Sequence, residues 1–136
     1  MPDRERDRMS RKKQDQLAAA WQELSARYAA VSGALGRELY ERHGLSLHEF
    51  EVLSRLADDD HEQHRMQELA DASHLTQSAL SRLVARLEDE GLVTRSMCES
   101  DRRGIYACIA QAGRTRYEEA LPTYQAVLAS SLAGAA

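Results

Sequence analysis

Apolar residues in the middle of the chain recur at the spacing of an α-helix. They stand at i, i+3, i+4 and i+7, which predicts one apolar stripe: Leu80, Leu83, Val84 and Leu87. Thr76 precedes this stripe, and its hydroxyl is suited to accept a hydrogen bond from an amide of the first turn. The opposite face carries polar side chains, namely Gln77, Ser78, Ser81, Arg82 and Arg86. Short hydrogen-bonding groups and arginines of this kind suit the major groove of DNA, where they contact base edges and phosphates.

A shorter helix is predicted just before this one, from Met66 to Ser73, with Leu69 and Ala70 on its buried side. The chain must then turn sharply around His74 before the next helix begins. The turn requires a left-handed backbone, which histidine tolerates better than most residues other than glycine. The two helices and their turn therefore form a predicted helix-turn-helix.

A two-stranded ribbon is predicted after the second helix. Gly91 ends that helix, and residues 92–95 form a short first strand that includes Arg95. Residues 104–110 return as the second strand, in which apolar residues alternate with Tyr106 and Cys108. The turn between the strands spans residues 100–103, so Arg102 and Arg103 are expected at the tip of the ribbon.

Longer helices are predicted on both sides of this region. Residues 17–43 carry apolar side chains at steps of mostly three and four, which predicts a long amphipathic helix ended by Gly44: Leu17, Trp21, Leu24, Tyr28, Val31, Leu35 and Leu39. Gly33 and Gly36 inside it suggest that another helix crosses closely there. Ser46 and Glu49 form the capping box of the following helix. A final helix is expected over residues 111–132, kinked at Pro122.

These features together resemble the multiple antibiotic resistance regulator (MarR) family of winged-helix transcription factors. The resemblance is carried by the run LADASHLTQSALSRLVARLEDEGLVTR and by ESDRRGIYACIAQAGR, and it extends over roughly residues 17–128. It implies a mainly helical winged helix-turn-helix with long terminal dimerisation helices. It also implies that Arg102 and Arg103 reach the minor groove and that Asp101 buttresses an arginine. The chain departs from the family after residue 132, where members usually continue into a sixth helix that packs against the partner.

The composition sets limits on these interpretations. The length of 136 residues fits one domain, here residues 17–136 after a flexible extension over residues 1–16. The net charge is −4, and residues 66–106 hold five arginines against seven acids, so any DNA affinity must come from the placement of the arginines. Neither a membrane span nor a secretory signal is evident, which favours a cytoplasmic protein. No cofactor is expected, and no catalytic set of residues stands out.

Three further groups have two interpretations each. His61 and His64 lie beside three aspartates as a candidate metal site or as a solvated loop, and zinc requires three or four ligands. Cys98 and Cys108 flank the ribbon turn as a candidate redox pair or as two inert thiols. Trp21, Tyr28 and His43 either line a pocket for an aromatic acid or pack in the core and dimer interface.

The sequence therefore predicts a homodimeric, sequence-specific DNA-binding repressor that a small aromatic or carboxylate ligand releases from a near-palindromic operator. The predicted DNA contacts are Thr76, Gln77, Ser78, Ser81, Arg82, Arg86, Arg95, Arg102 and Arg103. Four residues are predicted in the dimer interface: Leu17, Leu24, Tyr124 and Leu128. The alternatives are a helical adaptor module that binds protein, and a metal-responsive or thiol-responsive regulator of the same family.

Overall fold

The computed structural model describes residues 2–57, 64–98 and 101–133, with the backbone alone at residues 2, 64, 97–98 and 101–104. The described residues form five helices and three strands. The order is α1 (Pro2–His43), α2 (Leu47–Ala57), β1 (His64–Arg65), α3 (Met66–Ser73), α4 (Gln77–Asp89), β2 (Val93–Cys98), β3 (Asp101–Ile109) and α5 (Gln111–Leu132). The architecture is a winged helix with long flanking helices, as the sequence predicts.

Helix α1 is longer than the sequence analysis predicted, because it begins at Pro2 rather than at Leu17. Its 42 residues give a helix of about 63 Å at 1.5 Å per residue. The charged residues that suggested a flexible extension continue the helix with their side chains exposed. The end of α1 agrees with the prediction, since Gly44 adopts a left-handed backbone with φ of 68°.

Helix α2 begins at the predicted capping box. The Glu49 amide donates to Ser46 Oγ at 3.1 Å, and the Ser46 amide donates to Glu49 Oε1 at 3.1 Å. The residues on either side of this box, Leu45 and Phe50, are almost fully buried. The cap thus fixes the angle at which α2 enters the core. That core is built largely from α2, α3, α4 and the strands, with Leu39 of α1 and Ala120 of α5 closing it.

The helix-turn-helix has the predicted form. His74 ends α3 in a left-handed conformation, with φ of 56° and ψ of 34°. Among the described residues, no other residue except glycine has a positive φ. Thr76 caps α4, since its hydroxyl accepts from the Ala79 amide at 3.1 Å. The four residues of the predicted apolar stripe of α4 are all buried. Helix α4, called the recognition helix below, is therefore anchored to the core from Leu80 to Leu87.

The sheet has one more strand than predicted. The short strand β1 pairs antiparallel with β3, so the order is β1-β3-β2. The predicted turn was also too long, because Asp101 already pairs with Cys98 at the start of β3. The backbone of Arg102 and Arg103 thus belongs to β3 rather than to a turn. Strands β2 and β3 form the wing, and a register shift between Met97 and Cys98 interrupts their pairing near its tip.

The register of β2 and β3 contradicts the proposed pairing of Cys98 with Cys108. Cys108 stands opposite Thr94, four residues from Cys98, which corresponds to about 13 Å along a strand. A disulfide requires Cα atoms within about 7 Å. Of the two interpretations of these cysteines, a redox pair across the hairpin is therefore excluded.

Helix α5 begins where the chain passes very close to Leu92, just after the end of α4. The Ala110 amide donates to the Leu92 carbonyl at 2.9 Å, and a Cβ atom at Gly113 would overlap the same carbonyl oxygen. Gly113 is buried there, so only a residue without a side chain fits. Helix α5 then packs along α1, where His43 Nε2 lies 2.8 Å from Thr123 Oγ1.

Gly33 and Gly36, which suggested a close helix crossing, face open space in one protomer. A Cβ atom at either glycine would meet nothing within 4 Å. Among the described residues, no helix is both long and apolar enough to cross a membrane.

Candidate nucleic-acid interface

The outward face of α4 presents a continuous polar surface. Gln77, Ser78, Ser81, Arg82 and Arg86 are all outside the core, while the apolar stripe on the other side of the helix is buried. The two short residues Ser78 and Ser81 lie in the first half of the helix, and the two arginines follow. This order places hydrogen-bonding groups of modest reach near the N-terminus and long cationic side chains behind them. Such a surface can contact base edges and phosphates at the same time.

Thr76 has a structural role in the same surface. Its hydroxyl accepts a hydrogen bond from the backbone of Ala79, and its side chain is exposed at the start of α4. The remaining amides of the first turn point out of the helix end, where the helix dipole favours an anion. The N-terminus of α4 is thus suited to a phosphate group as well as to base edges.

The far end of α4 is tied to the wing by an ion pair that the sequence analysis did not identify. Arg95 Nη2 donates to Glu88 Oε1 at 3.1 Å, and the Arg95 amide donates to Glu88 Oε2 at 3.1 Å. The hydrogen bond from the Arg95 guanidinium is the largest cause that holds the pKa of Glu88 below its ordinary value. Arg95 was predicted as a DNA contact, but the structure engages its guanidinium with the protein. Its first role is therefore to position β2 against α4.

A second contact steadies the opposite edge of the sheet. Arg65 Nε donates to Tyr106 Oη at 3.4 Å, and the guanidinium carbon lies 5.9 Å from the centre of the tyrosine ring. The two residues are also paired across β1 and β3. Cation–π contacts of this geometry are modestly stabilising at exposed sites. Sequence reasoning missed Arg65 because the two-residue strand that carries it has no hydrophobic pattern.

The tip of the wing lies partly outside the described residues. The backbone of Asp101, Arg102 and Arg103 belongs to β3, but the side chains of these residues are outside the description. Their predicted contact with the minor groove and the buttress role of Asp101 therefore stay predictions. His61, a residue of the candidate metal site, also lies outside the described residues, as does the side chain of His64. Elsewhere in the described part of the chain, no group of three or more potential ligands could hold a metal ion.

Comparisons with known proteins agree with this geometry. The sequence model of the MarR family matches residues 45–105, which include α2, the helix-turn-helix and most of the wing. The structure is similar to that of AbsC from Streptomyces coelicolor, a MarR family transcriptional regulator, with a TM-score of 0.79 and 29% identity over 86% of this chain and 78% of that one. Residues 45–105 thus match the MarR family, and the chain has the fold of MarR-family transcriptional regulators.

Two further solved structures show what proteins of similar fold bind. Sco3205 from Streptomyces coelicolor, solved in complex with DNA, matches with a TM-score of 0.82 and 28% identity, over 88% of this chain and 74% of that one. CouR from Rhodococcus jostii RHA1, solved with bound p-coumaroyl-CoA, matches with a TM-score of 0.73 and 25% identity, over 83% of this chain and 77% of that one. A comparison with curated protein sequences gives no significant match.

The residues predicted to line a ligand pocket do not come together in one protomer. Trp21 and Tyr28 are each 67% exposed on α1. His43 lies at the far end of that helix, about 33 Å from Trp21 at 1.5 Å per residue, and hydrogen-bonds to Thr123 of α5. A single copy therefore offers no pocket that these three residues share.

The predicted dimer residues divide into two groups. Leu17 and Leu24 are 62% and 61% exposed on α1, which also carries the exposed Trp21 and Tyr28. Tyr124 and Leu128 are half-buried on α5, and the Tyr124 ring centre lies 4.5 Å from that of Phe50. Tyr124 thus packs against the core of its own protomer, whereas the first part of α1 leaves its apolar side chains uncovered.

Proposed function

We propose that this MarR-family chain binds DNA in a sequence-specific manner by placing α4 in the major groove. The observation that carries the proposal is the outward polar face of α4, which lies opposite a completely buried apolar stripe. In this assignment Gln77, Ser78 and Ser81 contact base edges, while Arg82 and Arg86 contact phosphates or guanines. Thr76 places the helix end against the DNA backbone, and Arg102 and Arg103 extend from the wing toward the minor groove.

The working form of the regulator is a homodimer in this proposal. Four large apolar side chains stand exposed along the middle of α1, at alternating steps of four and three: Leu17, Trp21, Leu24 and Tyr28. This is the spacing by which two helices bury a common seam. Two copies would present two α4 helices to successive major grooves about 34 Å apart, on a near-palindromic operator. Each copy alone would hold too few contacts for tight, specific binding.

The output proposed for the dimer is repression that a small ligand relieves. The similarity to CouR, which was solved with p-coumaroyl-CoA bound, supports a ligand-responsive mode of action. A ligand that favours one separation of the two α4 helices shifts the equilibrium away from the DNA-bound arrangement. A rigid dimer requires only a small change, because both grooves must be filled at the same time.

DNA selection followed by a salt titration tests the central claim. Genomic fragments are enriched on the full-length protein, and the affinity for the enriched fragment is measured by fluorescence anisotropy between 50 and 300 mM salt (roughly the range over which counterion release is resolved). Arg82 and Arg86 of two copies neutralise about four phosphates, which gives a slope of log K against log salt of about −3.6 or steeper. The matched control is a shuffled fragment of equal length.

The rival function is a helical adaptor that uses the winged helix to bind protein. The excess of acids over arginines in residues 66–106 is the observation in its favour. An adaptor would enrich no common DNA sequence, and its binding to any DNA would stay weak at low salt. That result would reject the DNA-binding proposal for this chain.

A further inference from the structure

The first third of α1 is a charged helical segment that its own chain leaves uncovered. Every side chain from Asp3 to Leu24 is exposed. Residues 3–16, called the charged segment below, hold six arginines and lysines, four acids and one large apolar residue, Met9. Helices in proteins are stabilised mostly by the packing of one face against other elements. The charged segment thus has its whole circumference available for contact with another chain.

The apolar seam of α1 limits how two copies can be aligned. Leu17, Trp21, Leu24 and Tyr28 are each 61–67% exposed and follow one another at steps of four, three and four. In an antiparallel pair, one register places Leu17 beside the partner's Tyr28 and Trp21 beside the partner's Leu24. This register buries all four residues of both copies at the same time.

The charges at the start of α1 favour this antiparallel arrangement over a parallel one. At the same steps, the line of the seam continues toward the N-terminus through Gln14, Ser10, Asp7 and Asp3. In a parallel pair, Asp3 and Asp7 would each lie against the same aspartate of the partner, and such like-charge contacts are unfavourable. The antiparallel register instead carries both aspartates to the C-terminal third of the partner's α1.

A groove of about 310 Å³ lies at that end of the helix, between α1 and α5. Three charged residues from α1 and three hydroxyl groups from α5 line it: Arg37, Glu38, Arg42, Thr123, Ser130 and Ser131. Glu38 Oε2 accepts from Arg42 Nε at 2.9 Å. The Arg37 guanidinium forms no ion pair or hydrogen bond with any other described residue. Two arginines against one glutamate give the groove a net positive charge.

The groove is also a firm receptor, because α1 and α5 are tied together beside it. His43 Nε2 lies 2.8 Å from Thr123 Oγ1, and Arg116 Nη1 donates to the His43 carbonyl at 3.1 Å. Leu39, between the groove residues of α1, is fully buried in the core. A chain docked in the groove would therefore contact a surface that is fixed to the winged helix.

We propose that the charged segment of each copy docks in the α1–α5 groove of the other, with Asp3 beside Arg42 and Asp7 beside Arg37. In the register that buries the seam, Asp3 of the partner subunit is level with Arg42. Asp7 of the partner subunit is one residue, about 1.5 Å, from the level of Arg37. Two-fold symmetry repeats both contacts, since each copy supplies one segment and one groove. The inference rests on the homodimer of the proposed function and adds the direction, the register and a second contact surface.

Charge reversal on both sides of the contact tests the docking. Sedimentation of the full-length protein over a concentration series gives the dissociation constant of the dimer. Asp7→Arg and Arg37→Asp are each expected to raise it about tenfold, because the ion pair is lost twice and replaced by repulsion. Both substitutions in one chain restore the pair with reversed polarity, which should return the constant to within about threefold of the parent value.

Glu5→Arg is the matched control, because it makes the same change of charge two residues from Asp7 on the side of α1 that faces away from the seam. This variant is expected to dimerise like the parent protein. Equal weakening by Glu5→Arg, or no recovery when Asp7→Arg and Arg37→Asp are combined, would overturn the contact.

An engineered disulfide tests the direction of pairing independently. Cys98 and Cys108 are first replaced by serine, and Asp7→Cys is then combined with Arg37→Cys. These positions are 30 residues apart on one helix, or about 45 Å, so their thiols can join only between two copies. Oxidation is expected to give a covalent dimer with both substitutions and none with Asp7→Cys alone. The opposite pattern would indicate a parallel pair and overturn the proposal, as would the absence of a covalent dimer from both proteins.

The parent protein separates this inference from the proposed function. A parent protein that sediments as a monomer at every concentration would reject the homodimer and the docked segment together. A dimer that is weakened by Leu24→Asp, but by neither Asp7→Arg nor Arg37→Asp, would keep the seam and reject the docked segment alone.

Discussion

Glu88 and Arg95 join the last turn of the recognition helix to the first strand of the wing through both carboxylate oxygens. One oxygen accepts from the Arg95 guanidinium and the other accepts from the Arg95 amide, each at 3.1 Å. The hydrogen bond from the Arg95 amide fixes the position of β2. The hydrogen bond from the Arg95 guanidinium holds the Glu88 carboxylate in place to accept it. The orientation of the wing relative to α4 therefore depends on the charged carboxylate of Glu88, seven residues before Arg95 in the sequence.

The Glu88 contact is expected to make the stability of the protein depend on pH in acid. Arg95 lowers the pKa of Glu88 in the folded protein below its ordinary value near 4.5. A group with a lowered pKa contributes stability above its unfolded pKa and loses that contribution as the pH falls through the folded pKa. The melting temperature of Glu88→Gln is thus expected to lie below that of the parent protein at neutral pH, and the difference should shrink below pH 4.5.

The variant Glu119→Gln provides the control, because Glu119 is an exposed glutamate on α5 that takes no part in this contact. Its melting temperature should follow that of the parent protein at every pH. A difference between Glu88→Gln and the parent protein that stays constant down to strongly acid pH would contradict the role given to the ionised carboxylate.

Residues on the face of α4 are expected to divide into those that set sequence preference and those that set overall affinity. Removal of a base-contacting group should cost about 1–3 kcal/mol on the preferred site and little on random DNA. Ser81→Ala and Gln77→Ala are expected to behave in this way.

Arg86→Ala and Arg103→Ala should instead weaken binding to both DNAs and reduce the slope of the salt dependence by about 1 for each phosphate that is no longer neutralised. Competition of specific and random duplexes in one anisotropy assay separates the two classes, and equal effects on both DNAs from all four variants would remove the assignment.

The parts of this fold that could be predicted from sequence are those controlled by neighbouring residues. The capping box of Ser46 and Glu49, the Thr76 cap and the left-handed His74 each depend on a few adjacent positions. The buried stripe of α4 depends on the helical repeat alone. These local features were sufficient to place the recognition helix and its outward face.

The features that the sequence did not reveal depend on residues far apart in the chain. Strand β1 forms because β3 offers its edge, not because residues 64–65 carry a strand pattern. The separation of Cys98 from Cys108 follows from the register of β2 and β3, in which Cys108 lies opposite Thr94. The early start of α1 at Pro2 was missed for a different reason. Its first residues are charged and solvated, so they show no periodic apolar pattern from which a helix could be predicted.

Two glycine positions are expected to respond in opposite directions to the same substitution. Gly113→Ala should destabilise the protein by about 1–3 kcal/mol, as for an overpacked core site, because the new Cβ atom overlaps the Leu92 carbonyl oxygen. Gly33→Ala should stabilise α1 by up to roughly 1 kcal/mol, since alanine is the better helix former and space is open around that position. Urea unfolding of both variants measures the free energies. A loss of stability in Gly33→Ala would show that a second copy approaches α1 closely at this point.

The exposed seam of α1 is expected to determine the oligomeric state. Leu24→Asp places a carboxylate among Leu17, Trp21 and Tyr28, which should shift the protein toward the monomer in analytical ultracentrifugation. Ala26→Asp adds the same charge two residues away on an exposed position outside the seam and serves as the matched control. The single tryptophan of the chain supplies a second signal, because Trp21 is 67% exposed in one copy. Its emission should shift to longer wavelength when the parent protein is diluted and should already be shifted in Leu24→Asp. If both variants sediment like the parent protein and the emission does not change with dilution, α1 does not hold two copies together, and the proposed spacing of the two recognition helices loses its structural basis.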